Sequence, residues 1–344
     1  MRLFGGRKKR ALLYEELAMR LAANSRLNLR VGEVVEVRSQ EEILSTLDAE
    51  GRLDGLPFMP EMLKYCGREF RVYNSAHKTC DTIGKTGNRR MMSAVHLEGL
   101  RCDGEFHGGC QAACLLFWKE AWLKRSSASD SRESVSTLRG GQGCTWETLF
   151  KATQVGGSGG DPNEPVFSCQ ATELTRATLT LRWWDLRQYL KDLLSGNVSL
   201  SRFLRVTALA LFNMIQRKRG GSQFPRFEGR APANKTPRIT LGLKPGDLVE
   251  VKSKGEIEQT VGVDSRNRGL WFDVEMLPYC NRRFRVLRRV ERIIDDKSGK
   301  LLRFSNDCLI LDGVTCSGDF SYKRRFCPRA IYPYWREIWL KRVD

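Results

Sequence analysis

Two histidines and four cysteines of this chain fall into metal-ligand spacing: His77-x2-Cys80, then Cys102-x4-His107-x2-Cys110-x3-Cys114. Zinc takes thiolate and imidazole ligands in closely spaced pairs from two loops, because a short pair costs little loop entropy to organise. These candidates exceed what one tetrahedral ion needs. The favoured set is Cys80, Cys102, Cys110 and Cys114, with His77 and His107 as substitutes or as groups that orient the ligands. Four thiolates can alternatively hold an iron–sulfur cluster, for which this spacing is less typical, and reduced structural thiols are the plainest alternative. No secretion signal and no membrane-length apolar run is visible, so a reducing cytoplasm is the expected location. There, the 11 cysteines are expected as thiols or ligands rather than disulfides. Cys66 and Cys280 read as core residues, and Cys144 and Cys169 have no histidine nearby in sequence to activate them.

The elements that must position this cluster belong to an internal duplication. Residues 30–72 align without gaps on residues 244–286: Val35-Glu36-Val37 on Val249-Glu250-Val251, Glu61-Met62-Leu63 on Glu275-Met276-Leu277, and Phe70-Arg71-Val72 on Phe284-Arg285-Val286. The copies end alike, Trp118-Lys-Glu-Ala-Trp122 against Trp335-Arg-Glu-Ile-Trp339. Many short alternating strands with few helices predict an α+β chain in which two small SH3-like β-barrel modules flank a helical middle. The second copy is an internal control on the cluster. Cys102 and Cys110 match Cys316 and Cys327, but Cys114, Cys80 and His77 match Ile331, Ile294 and Glu291, leaving a degenerate metal site.

The expected organisation is a basic N-terminal helix over 1–28, module one over 29–125, a flexible linker over 126–165, a helical unit over 166–220, an extended arm over 221–242, and module two over 243–344. In the middle unit Trp183 to Leu193 is spaced for one amphipathic helix. A second runs from Ser199, a good N-cap, to Arg219, with Leu204, Ala208, Leu211 and Ile215 as its apolar stripe. This pair is expected to dock the two modules together.

The formal net charge is +18, and it lies outside module one, whose basic and acidic residues balance. Such a surface favours polyanions or acidic partners. In module two, Arg283, Arg285, Arg288, Arg289 and Arg292 crowd one strand and its exit, and Lys323, Arg324 and Arg325 sit in an inserted loop. Arginines beside Phe284, Tyr322 and Phe326 suit phosphate contact with base stacking. No phosphate loop, dinucleotide fingerprint, nucleophile elbow or His-Glu-x-x-His helix is present.

The string His107-Gly-Gly-Cys110-Gln-Ala-Ala-Cys114-Leu-Leu-Phe-Trp118-Lys-Glu-Ala-Trp122, with His77-Lys-Thr-Cys80 and Trp183-Trp-Asp-Leu-Arg-Gln-Tyr189, resembles a family of bacterial proteins carrying two such repeats. The resemblance implies a bacterial origin and genes placed beside polysaccharide or natural-product biosynthesis. It assigns no activity and no ligands. The expectation is a non-enzymatic, zinc-containing adaptor that binds a peptide, an acidic partner protein or a polyanion as a biosynthetic accessory. The alternatives are a nucleic-acid-binding regulator and a metalloenzyme using the cluster of module one.

Overall fold

The computed structural model describes residues 27–126, 144–155, 165–232 and 236–343. The chain is a mixed α/β protein of small antiparallel sheets with few helices. The expected N-terminal helix lies almost wholly in residues 1–26, outside the described residues. In module one, β1 (Val34–Val37) alternates so that Val35 and Val37 are fully buried, as period-two strand geometry requires. The module continues through helix α1 (Gln40–Leu44), β2 (Glu69–Ser75), the hairpin β3 (Lys78–Cys80) and β4 (Asn88–Arg90), β5 (Ala94–Leu97), β6 (Trp118–Lys119) and β7 (Leu123–Arg125). The main sheet has the order β6-β5-β2-β1-β7.

Its edge strands β6 and β7 are consecutive in sequence, parted by the 3₁₀ turn Glu120–Trp122. That turn carries the chain from one edge of the sheet to the other. No ladder joins the two edges among the described residues, so the sheet is not the closed barrel expected from the strand count.

The middle holds α2 (Trp146–Ala152), the single turn α3 (Leu174–Ala177), α4 (Arg187–Leu194) and α5 (Leu200–Arg219). Helix α2 falls within the stretch expected to be flexible linker. It is fixed by its Thr145 N-cap and by Leu149, which joins the core of module one. Ser199 caps α5, and Gly220 closes it with a left-handed backbone. Among its described residues, the arm up to residue 242 has no regular element, and its Phe227 stacks on Phe272 of module two.

Module two repeats the plan with β8 (Leu248–Val251), α6 (Lys254–Glu258), β9 (Arg283–Arg289), the hairpin β10 (Arg292–Ile294) and β11 (Leu301–Arg303), β12 (Leu309–Leu311) and β13 (Leu340–Arg342). Its sheet order is β12-β9-β8-β13. Even the irregularities recur: the register of β2 shifts between Val72 and Asn74, and that of β9 between Val286 and Arg288.

The repeated tryptophan motif builds both cores. Phe58 lies edge-on to Trp118 and Trp122, and Phe272 does the same to Trp335 and Trp339. The indole of Trp122 donates to Thr46, and that of Trp339 to Thr260, both at 3.1 Å. Between the tryptophans, buried Glu120 accepts from the backbone N–H groups of Asn28 and Leu29. Its counterpart Glu337 accepts from those of Leu241, Gly242 and Leu243. The acid repeated in the motif thus ties down the chain entering each module, because a buried carboxylate is tolerated where N–H groups converge on it.

The modules are joined by a reciprocal exchange. Hairpin β3–β4 reaches from module one onto module two: the N–H of Cys80 donates to Cys327 Sγ, and that of Asn88 to the Lys323 carbonyl at 3.1 Å. Hairpin β10–β11 returns the contact, the N–H of Ile294 donating to Cys110 Sγ and that of Gln111 to the Arg292 carbonyl. Cys80 and Ile294 are equivalent positions, as are Cys327 and Cys110. The junction therefore has an approximate two-fold symmetry.

Candidate metal centre

Glu61, Cys102 and His107 converge in the interior of module one. One oxygen, one sulfur and one nitrogen from these residues all lie within 4.8 Å of one another. Glu61 comes from the 3₁₀ turn Pro60–Tyr65, opened by a proline whose missing N–H costs nothing at that position. Cys102 and His107 come from the loop after β5. There the N–H of Cys102 donates to the Cys114 carbonyl, and those of His107 and Gly109 to the Gly104 carbonyl. Gly104 has φ +77°, and a Cβ at this position would fall 2.0 Å from the Cys110 carbonyl, so only glycine lets the loop close.

The geometry prepares three donor atoms. Glu61 Oε1 is 3.0 Å from Cys102 Sγ and 3.0 Å from His107 Nδ1. His107 Nε2 lies 3.1 Å from the Ser168 carbonyl, which can only accept, so Nε2 carries the proton and Nδ1 offers its lone pair. Neither His107 Nδ1 nor Glu61 Oε2 has a hydrogen-bond partner, although both residues are almost completely buried. A histidine nitrogen and a carboxylate oxygen 3.0 Å apart in a dry interior call for positive charge between them, which a proton or a metal ion can supply. A histidine that donates its other nitrogen to a carbonyl is the usual arrangement of a metal ligand.

Cys110, Cys114 and Cys169 line the same cavity, of about 30 Å³. Burial pushes Cys102 well above the usual thiol range, with Glu61 adding to the rise. Burial also raises Cys110, takes Cys114 to about 11 and takes Cys169 to about 12. These groups remain thiols unless a cation replaces their protons. The residues present therefore fit a metal ion, with Glu61, Cys102 and His107 as ligands and the three lining thiols as candidates for a further position.

Module two shows the same architecture solved without a cation. Glu275, equivalent to Glu61, accepts from the N–H groups of Ser317, Gly318 and Phe320 and from the hydroxyls of Ser317 and Ser321. Ser321 stands where module one has His107. The carboxylate that a loop satisfies in one copy is left to the histidine and thiol in the other.

The six candidate ligands do not form one site. Cys80 is carried by its hairpin to the other module, where the Cys327 thiol donates to it and pulls it down to about 6 against its burial, with Arg329 assisting. His77 Nε2 faces Asp192 Oδ1 at 3.2 Å and the Gln188 carbonyl at 3.3 Å. The separation arises because β3 pairs with β4 and crosses the junction, while Cys102 to Cys114 stay with the loop of module one. Glu61 escaped the sequence pattern. Its one signal was an identical acid, set between proline or valine and two apolar residues, in both copies.

The arginines do not form one open face either. Arg285 donates to the Gly246 carbonyl, as its equivalent Arg71 does to Gly32, and Arg283 pairs with Glu250 at 3.2 Å. Arg289 binds buried Glu337 and the Leu243 carbonyl, because the bulge before Arg288 turns it inward. Half-buried Arg292 lies against Gly109 at the junction, and Arg288 is also half-buried. In the inserted loop, Arg324 faces Asp273 at 3.9 Å and Arg325 lies over Tyr322, while Lys323 and Arg325 give their carbonyls to Asn88.

Among known proteins, no family model, no curated protein and no solved structure matches this chain.

Proposed function

We propose that the chain is a non-enzymatic, zinc-bearing adaptor, in which the metal completes module one and partners bind elsewhere on the cationic surface. The observation that carries this reading is the unpartnered Nδ1 of His107, aimed at Glu61 and Cys102 with Nε2 already committed to Ser168. Nitrogen, sulfur and carboxylate oxygen together suit zinc. The cavity beside these ligands is lined mainly by apolar side chains and thiols, and this sulfur-rich, apolar setting favours a structural over a catalytic role. The finer reading of each module as SH3-like rests on the strand order, with a 3₁₀ turn before the last strand, which then pairs with the first. The nucleic-acid alternative stays second, since Arg289 is bound to buried Glu337 and Arg292 lies at the junction, which leaves Arg283, Arg285 and Lys323 as the exposed cations of that set. A cytoplasmic setting is in keeping with free buried cysteines, and among the described residues no helix is long and apolar enough to cross a membrane.

The test is elemental analysis of untagged protein alongside two single variants. Cys102→Ser is expected to lose the zinc, whereas Cys80→Ser, altered at the junction, keeps it. Protein without metal, or a Cys80→Ser chain that loses zinc while Cys102→Ser retains it, would overturn the assignment.

A further inference from the structure

Helix α5 is held by its polar side. Arg202 donates to Asp319 at 2.7 Å and to the Ser317 carbonyl at 2.9 Å, Asn213 clamps the backbone of Phe224, and Val206 is the one buried residue of the helix. Its apolar stripe points the other way. Leu200, Leu204, Leu211, Phe212 and Ile215 recur at helical spacing and are 45 to 63 % exposed. On the preceding helix, Leu190 and Leu194 repeat the pattern with Leu186 just ahead of it, and Trp183 and Trp184 stand exposed beside them. A stretch of large apolar side chains this long in water marks a surface that is covered by something.

Charge identifies what covers it. Residues 193–227 contain 6 basic and 0 acidic side chains. Arg202 and Arg205 face Asp319 and Arg226 pairs with Glu228, which leaves Arg217, Lys218 and Arg219 as the exposed cations at the end of the stripe. A second copy would set this cationic stretch against itself, and residues 1–26 carry 7 basic against 2 acidic side chains, so neither is complementary. The occupant is acidic. It also meets a convex helix about 30 Å long rather than a groove, with tryptophans at one side, which is the form of a helix lying in a lipid interface.

We infer that α4 and α5 dock the chain, without spanning, on an anionic membrane surface, the leucines and Phe212 entering the acyl boundary and the flanking arginines and lysine meeting phosphate headgroups. This names the partner that the adaptor reading leaves open and rests on that reading. The experiment is co-sedimentation of the full chain with vesicles of phosphatidylcholine alone or mixed with phosphatidylglycerol, with the zinc content of each preparation measured beside it. Wild type is expected to partition onto the mixed vesicles only. Leu211→Glu, on the stripe, should weaken this roughly tenfold or more, whereas Val263→Glu, the same charge change at an exposed valine outside the helices, should not. No partition of zinc-replete protein overturns the lipid assignment and leaves the stripe to an acidic protein groove. Equal weakening by both variants overturns it as well, reducing the binding to bulk charge. Protein lacking zinc signals failure of the scaffold reading instead.

Discussion

At the scale of single residues, the contrast between Glu61 and Glu275 decides how the centre is read. Both are buried acids in the same turn, but only Glu275 is surrounded by N–H and hydroxyl donors. Glu61→Gln is therefore expected to lower metal affinity and thermal stability in untreated protein, with little further loss on adding a chelator, while wild type loses stability in chelator. Cys102 and His107 were legible as a spacing motif, but the acid completing the set was not, because a carboxylate in a short turn reads as solvent-facing. Cys80 was misplaced for a different reason: spacing does not reveal that a hairpin leaves its own module. His96 gives a second residue-scale expectation. Burial holds its imidazole down to about 3 against the ordinary 6.5, with its Nδ1 at 2.8 Å from the Leu116 carbonyl. Below pH 6.5 the unfolded chain takes up a proton that the folded chain refuses, so stability present above 6.5 is lost as the pH falls toward 3. The loss is about 2 kcal/mol between pH 7 and pH 5. His96→Ile, which borrows the buried Ile310 of module two, should flatten this slope in urea unfolding across that pH range.

At the scale of elements, the period of a helix is legible in sequence while the direction it faces is not. The stripe Leu204, Ala208, Leu211 and Ile215 was expected to be buried between the modules. It faces outward because the opposite side offers Arg202 and Asn213 to fixed acceptors and Phe203 to a stack on Phe326. Helix α4 attaches by a buried charge instead. Lys78 on β3 is completely buried, its ammonium 2.5 Å from Asp192 Oδ2 and above the rings of Tyr189 and Phe326. Burial lowers the lysine pKa, and Asp192 opposes that shift. Lys78→Met leaves the acid buried without its cation and is expected to cost roughly 3–5 kcal/mol, whereas the double change Lys78→Met with Asp192→Leu should recover much of it. A denaturant-based double-mutant cycle measures the difference, and additive losses would show that the two residues act independently.

At the scale of the whole molecule, the duplication is more than two beads on a string. The sequence showed two copies and their ends, since identical residues at constant offset need no structure to be seen. It did not show that each copy lends a hairpin to the other, because the residues of the exchange, Cys80 with Cys327 and Ile294 with Cys110, are ordinary buried side chains in any alignment. Reciprocal exchange has a thermodynamic consequence. Gln111 Oε1 accepts from the N–H groups of Glu291 and Arg292, Asn88 donates to the Arg325 carbonyl, and a Cβ on Gly87, at φ +120°, would fall 2.9 Å from the Lys323 carbonyl oxygen. Unfolding one module therefore strips hydrogen bonds from the other, at about 1–3 kcal/mol for each buried group left unpaired. Calorimetry is expected to show one cooperative transition, and a chelator, acting only at module one, should move that whole transition downward rather than split it. Separate peaks, with only one shifted by the chelator, would mean that the hairpins touch without coupling and that each module stands on its own core.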